Sequence, residues 1–409
     1  MTLIKLREPQ RISPVNNPLP VIYKSTHGGD AGFRYKYDLI RDGYLENSMF
    51  IYPDINEYGL AEYSMIISDL INKNPIYNIT GMTQLGLTSF NYQVTEYLGN
   101  VSGGTAQGAD DFYTFKGVTQ YGDTWDYTDY EIVTGQTNKF LSKREYRVYS
   151  SDTYSTINAL WTPDSSFDKM IINVFYGAPL NYGKSYFYNI TTTGLDDYDL
   201  ISLPIGPKNI DEMISGGLIR ENIIGMPLQT TSIFNEYTVN YSFFLQKSET
   251  KVSEEIYIQY DKNCYKFTPI QFLYLGELGT YETFEATFAD EKSYETKWSE
   301  VRSKYYNVNE YTDGLTEVKY DYQVGDRGRK VVNKRTTETH VSHTGWLNDK
   351  QSNDLMELFT STDVYVIKDG LIYPVIITNS KYEMKKKQIH KLYKYEIEYE
   401  MAYEKLSNA

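Results

Sequence analysis

A Gly-Lys-Ser triplet at Gly183, Lys184 and Ser185 invites comparison with a phosphate-cradling loop, in which backbone amides and a lysine hold a nucleotide. That loop needs a second glycine five residues upstream, where Ala178 stands, and Gly177 is one position off. The following SYFYNITT reads as strand, so no helix N-terminus is on offer to the phosphates. Four histidines are present: His27, His340, His343 and His390. His340 and His343 form an HxxH pair inside a predicted strand, where a separation of three sends the rings to opposite faces and rules out joint chelation. With Cys264 the single cysteine, a structural zinc site is not expected. No GxSxG nucleophile elbow occurs.

Acidic sets are more frequent: Asp110 with Asp111; Asp123, Asp126 and Asp129; Asp196, Asp197 and Asp199. Paired carboxylates could flank a glycosidic bond, with Trp125 stacking on the sugar, or could hold calcium. Spacing alone selects none of the 54 acids, and solvated surface loops are the expected state. No catalytic, cofactor-binding or metal-binding residue is therefore assigned. The basic run Met384 to Lys391 reads as a charged edge or hairpin tip that resists aggregation. Asp326, Arg327 and Gly328 read as a tight charged turn.

The elements that would carry these residues are strands. Period-two alternation recurs at Phe33 to Leu39, Glu145 to Tyr149, Glu236 to Phe244, Glu254 to Tyr260 and Tyr393 to Met401. Turn signals lie between them at Asn17-Pro18, Gly28-Gly29, Gly103-Gly104 and Asp369-Gly370, the last of which predicts a hairpin. Short strands so spaced indicate β-sandwiches or barrels rather than βαβ units, and the fold expected is mainly β, tandem β-sandwich modules with a few short helices. Asn348 with Gln351 three residues on predicts a capped amphipathic helix over 348–359, with Leu355, Leu358 and Phe359 on one face. Asn209 with Glu212 predicts a second helix, stopped by Gly216-Gly217. Ser64 to Ile71 fits helix and strand equally.

With 409 residues the chain has room for two or three domains, and 41% apolar and 15% aromatic residues are the opposite of a disordered composition. The division expected is an N-terminal sandwich over 1–137, a middle sandwich over 138–228 and a C-terminal β-rich domain over 229–409. The Gly-rich stretch Val101 to Asp111 is expected to be a loop within the first. A net charge of −14 argues against a surface that grips phosphate backbones. From Val318 onward 15 Lys plus Arg face 13 Asp plus Glu, a net of +2, so the preceding part carries −16. The start MTLIKLREPQ has no apolar stretch of signal-peptide length and no run approaches 18 apolar residues, so neither Sec export nor a membrane-spanning helix is expected. Tyrosine is the outlier at 42 residues, about one in ten. Its ring suits a pleated surface whose hydroxyls reach water, and it is favoured where surfaces meet.

Several stretches carry a resemblance. They are SPVNNPLPVIYKS (Ser13 to Ser25), FRYKYDLI, MFIYPD, AEYSMIISDLI, ISLPIGPKNI (Ile201 to Ile210) and NCYKFTPIQFLYLGELGTYETFEATF (Asn263 to Phe288). YQVGDRGRK (Tyr322 to Lys330), GWLNDKQSNDLMELFTSTDVYVI, PVIITNSKYEMKKK and YKYEIEYEMA follow. In that order they resemble the tail and collar ring proteins of crAss-like and related podoviruses of Bacteroidetes. An acidic GELGTYETF strand and the stretch Gly103 to Asp111 depart from the family's pattern.

The resemblance implies a non-enzymatic virion protein of β-sandwich modules, without cofactor or membrane, assembled in the host cytoplasm into the phage neck or tail. Its partners would be copies of itself in a ring, twelvefold by analogy with portal-matched rings, and neighbouring ring, portal and adaptor proteins. Duplex DNA would pass without specific binding along acidic walls that the −16 portion could supply. A ring needs one pair of surfaces that closes by rotation, which tyrosine-rich strands suit. The alternative is a carbohydrate-binding tail adhesin, with Trp125, Trp161 and Trp298 stacking on sugars. A capsule-degrading enzyme ranks below both, since long β-helix repeats are absent.

Overall fold

Tyr35 and Tyr37 show how this sequence builds a core. Both sit on the alternating strand Phe33–Arg41 and are fully buried. The Tyr35 hydroxyl donates to the Glu57 carbonyl at 2.7 Å and accepts from the Ser25 amide at 2.8 Å, while Tyr37 donates to the Gly59 carbonyl at 2.7 Å. The phenols thus satisfy backbone groups inside the protein instead of reaching water, which corrects the half-buried picture drawn from composition. Burial pushes the Tyr35 hydroxyl up to about 12, so it remains a donor at any ordinary pH.

The computed structural model describes residues 3–71, 81–107, 111–119, 123–144, 146–191, 194–221, 230–263, 265–288, 290–302, 307–310, 316–319, 329–379, 394–403 and 405–407. The turn at Asp326 to Gly328, the basic run Met384 to Lys391, Cys264, His390 and Asp110 lie outside the described residues. The chain forms two compact units. The first comprises Met1–Cys264, Gln271–Glu285 and Asn348–Asp363, and the second Tyr265–Ile270, Ala286–Leu347 and Val364–Ala409.

The fold is mainly β, in sandwich modules with few, short helices. In the first unit, Phe33–Arg41 lies between Tyr44–Ile51 and Thr88–Leu98, and the sheet continues through Phe112–Phe115 to Ile12–Pro14. Leu3–Arg7, Pro20–Ser25 and Tyr58–Glu62 form a small second sheet, and Val21, Tyr23, Tyr35, Tyr37, Tyr92 and Ile67 share one core. Val101–Gln107 is a strand paired with Thr88–Leu98, where a Gly-rich loop was expected. The turn falls instead at Gly99, whose φ of 63° suits glycine.

A further module pairs Lys169–Tyr176 with Gly183–Asn189 and Thr238–Lys247, while Thr156–Trp161, Asp199–Pro204 and Thr83–Gly86 form a separate sheet. Ile172, Val174 and Leu245 of the one cluster with Ile157, Ile201 and Leu203 of the other. The boundaries expected at 137/138 and 228/229 both lie inside the first unit, and pairing crosses each. Thr83–Gly86 binds Asp199–Pro204, and Lys169–Tyr176 binds Thr238–Lys247.

Helix α1 spans Ser64–Leu70, so the ambiguous segment is helical, with Ile67 buried. Helix α2 spans Pro207–Ser215, beginning two residues before the cap expected at Asn209. Gly206 is the cap, Pro207 opens the first turn, and Asn209 is buried with its side-chain oxygen accepting from the Ser155 amide at 2.8 Å. Helix α3, Asp349–Thr360, has the expected capping box of Asn348 and Gln351, with Leu355 and Leu358 buried.

In the second unit the sheet order is Val364–Lys368, Leu371–Ile377, Glu396–Met401, Arg329–His343 and Asp290–Arg302. The hairpin expected at Asp369-Gly370 is present, with φ of 52° and 75° at the two residues.

Candidate interaction surfaces

The residues singled out for chemistry are spread over the fold. Gly183, Lys184 and Ser185 begin a strand, Gly183–Asn189, so the phosphate-loop geometry is absent there. His27 pairs with Asp30 at 2.8 Å. His340 is buried, and His343 lies within 4 Å of Glu291 and Glu396 on the other face of Arg329–His343, as the strand spacing predicts. Asp123 bonds Lys143, Asp126 caps the short 3-10 turn Tyr127–Asp129, and Asp111 accepts from Asn91. Asp199 is buried and accepts from Gln84 and from the Asp196 amide; burial first, with Asp196 and Asp197 adding, pushes its carboxyl above the ordinary range. Among the described residues no cluster of three or more His, Cys, Asp or Glu side chains has metal-binding geometry.

His340 sits in an arrangement that looks like acid-base machinery. Its Nδ1 lies 2.9 Å from Asp290 and its Nε2 3.1 Å from Glu338, and its ring stacks on Tyr399 at 4.9 Å. The hydrogen bond to Asp290 is the main force raising its pKa. Ser342 donates to Asp290 at 2.6 Å and not to the imidazole. Both ring nitrogens face carboxylates, so none is left to take a proton from a hydroxyl, and the group works as a charge clamp.

Arg147 anchors a second charged cluster. Its side chain is fully buried against Glu282 at 3.1 Å and also bonds Ser142 and the Arg144 carbonyl. Arg144 bonds Asp354 at 3.1 Å and the Thr283 carbonyl. Burial works to lower the Arg147 pKa, and the negative field led by Glu282 outweighs it. The network ties the segment around Arg147 to the strand Tyr281–Ala286 and to α3. Both guanidiniums are buried and bonded to carboxylates and carbonyls of the protein itself, while Arg147 Nε and Glu282 Oε2 make no hydrogen bond.

What remains exposed is apolar surface on strand edges. Tyr44–Ile51 ends its sheet and exposes Tyr44, Leu45 and Phe50, with Tyr52 and Ile55 just beyond; Ile55 is 98% exposed. Arg34 stacks over Phe50 at 4.4 Å, which holds that ring on the surface. In the second unit every residue of the end strand Asp290–Arg302 is exposed, with Tyr294 at 57% and Trp298 at 60%. Val332 on the neighbouring strand adds to it. Aromatic side chains on an edge whose amides and carbonyls are available for pairing mark a contact surface. Sequence reading placed Trp298 among sugar-stacking candidates but passed over the edge, because DEKSYETKWSEVR alternates no apolar face.

Trp125 lines a cleft of about 750 Å3 with Arg7, Glu8, Gln10, Asn17 and Asp123. One ring face is covered by Tyr130 at 4.9 Å, and its Nε1 donates to the Ile12 carbonyl at 2.7 Å. Trp161 packs edge-on against Phe167 at 5.0 Å and is half-buried.

No protein-family model and no curated protein matches the chain. The class that stands is a mainly β protein of sandwich modules with aromatic side chains exposed on strand edges. Among the described residues no helix is long and apolar enough to cross a membrane.

Proposed function

We propose that the chain is a structural virion protein that forms a homo-oligomeric ring in the neck or tail of a short-tailed phage, joining portal and tail around the DNA conduit. The observation that carries this reading is the presence of two different exposed strand edges that carry aromatic side chains, Tyr44–Ile51 and Asp290–Arg302, one in each unit. A ring closes when one patch meets a different patch on the next copy, so a subunit must offer two. Aromatic anchors on those edges provide large contact area with few rotors to freeze. The acidic character of the chain fits a channel that lets duplex DNA slide without holding it. Imaging of intact particles tests the reading. Expected is a closed ring of this chain between capsid and tail; its absence from mature particles overturns the proposal.

A second reading, a carbohydrate-binding tail adhesin, draws on the Trp125 cleft, whose amides, carboxylates and indole edge are groups that bind sugars. It predicts trimers and glycan binding abolished by Trp125→Ala. Rings without glycan affinity exclude it.

A further inference from the structure

The edge strand Asp290–Arg302 carries a pattern that the ring reading does not use. Among the described residues it pairs on one side only, with Arg329–His343. That pairing contains one irregularity, between Ser299 and Glu300, where the register steps from Asn333 to Val331. The extra residue, Val332, is on the inner strand, so the edge strand runs uninterrupted. It contains no proline. Bulges, prolines and charged side chains are the usual devices that block an edge from pairing; this edge has no bulge and no proline, and its charges block it only against a strand that does not match them.

Its thirteen residues are antisymmetric in charge about Thr296. Laid antiparallel against a second copy of itself with Thr296 opposite Thr296, the strand places Asp290 opposite Arg302, Lys292 opposite Glu300 and Glu295 opposite Lys297. Tyr294 falls opposite Trp298, and Ser293 opposite Ser299. Every charged pair but Glu291 with Val301 is of opposite sign, and the two aromatic rings form the kind of cross-strand pair that stabilises sheets. Two-fold symmetry keeps even-numbered residues on one face in both copies, so the competing registers slide by two residues. One slide puts Lys297 on Lys297 and Lys292 on Arg302; the other puts Glu295 on Glu295 and Asp290 on Glu300. Both bring like charges together; slides of four residues avoid that but give up the Asp290–Arg302 and Lys292–Glu300 pairs, so the register centred on Thr296 has the most opposite-charge pairs.

Existing ion pairs extend the match. Lys292 already bonds Glu338, and Glu300 lies 3.6 Å from Arg329. Self-pairing makes a ladder of Glu338, Lys292, then Glu300 and Arg329 of the second copy, alternating in sign across four strands. Glu295 and Lys297 sit 3.5 Å apart, 66% and 78% exposed, and are available to a second copy.

We propose that two copies of the free chain associate as a two-fold dimer by antiparallel pairing of their Asp290–Arg302 strands, with Thr296 at the axis. A copy so paired cannot use the same edge in a ring, so the dimer is the state of the free subunit. This does not depend on a place in the virion.

The test is a charge swap on the full chain at micromolar concentration, read by sedimentation and native mass spectrometry. Lys297→Glu sets two carboxylates against each other at both ends of the central pairing, and Glu295→Lys sets two ammonium groups together at the same places. Each variant alone is expected to lose dimer affinity by about tenfold. An equimolar mixture of the two restores opposite charges at both positions and is expected to give a heterodimer. Both positions are exposed, so folding is preserved, which circular dichroism checks. A wild-type chain that stays monomeric at tens of micromolar overturns the proposal, as does a mixture no tighter than its components.

Discussion

Arg147 and Glu282 are 135 residues apart in the chain and 3.1 Å apart in space, with side chains 0% and 2% exposed. A guanidinium and a carboxylate so deep are held there only because each completes the other. Removing water from either alone costs several kcal/mol that the pairing offsets.

Arg147→Met is therefore expected to destabilise the first unit by about 3–5 kcal/mol by leaving Glu282 buried without its cation. The double variant Arg147→Met with Glu282→Leu should cost less than Arg147→Met alone. Urea denaturation of the three proteins checks this; equal loss in single and double variants refutes the pairing argument.

The Glu357 carboxyl, on α3, is pushed up to about 8 by burial, with Glu282 and Glu277 adding. A carboxyl whose folded pKa exceeds its unfolded value binds more protons when folded, so its contribution is complete below about pH 4.5 and falls as pH rises towards 8. Burial raises Glu254, Glu285 and Asp354 in the same sense. The melting temperature of the first unit should fall between pH 5 and 8, and Glu357→Gln should flatten that slope. An unchanged slope in the variant excludes Glu357 as a source.

Asn348 accepts from the Gln351 amide at 2.9 Å, and the Gln351 side chain accepts from the Asn348 amide at 3.0 Å. Asn348→Ala breaks the side-chain half of this box and should cost about 1 kcal/mol. Hydrogen exchange in the first turn of α3 should speed up while α2 stays as protected as before.

Gly370 has φ of 75° in the turn between Val364–Lys368 and Leu371–Ile377. Gly370→Ala forces a Cβ into left-handed backbone and should cost about 1–2 kcal/mol. Gly216→Ala, where φ is −77°, is the control and should be milder. Equal effects would show that backbone conformation is not the cause.

The features legible in the sequence were local ones. Asn348 and Gln351 announce a helix start because both halves of the box lie within four residues, and Asp369-Gly370 announces a hairpin for the same reason. Gly103-Gly104 misled because glycine marks turns on average, whereas pairing with Thr88–Leu98 decided the matter. Asn209 misled because its side chain serves Ser155, 54 residues away, and not its own helix. The Arg147 network was out of reach altogether, since its members come from three distant segments. The edge Asp290–Arg302 was readable in principle, but its order is an inverted charge sequence rather than an alternation of polarity.

The first unit takes back the chain at Asn348 after a long excursion that begins at Ala286. A ribosome that has released residues only up to Leu347 has exposed Arg144 but not Asp354, its acceptor at 3.1 Å. The amino-terminal half must therefore wait, partly finished, while about sixty further residues are translated, and any chaperone acting on the nascent protein would meet it in that interval.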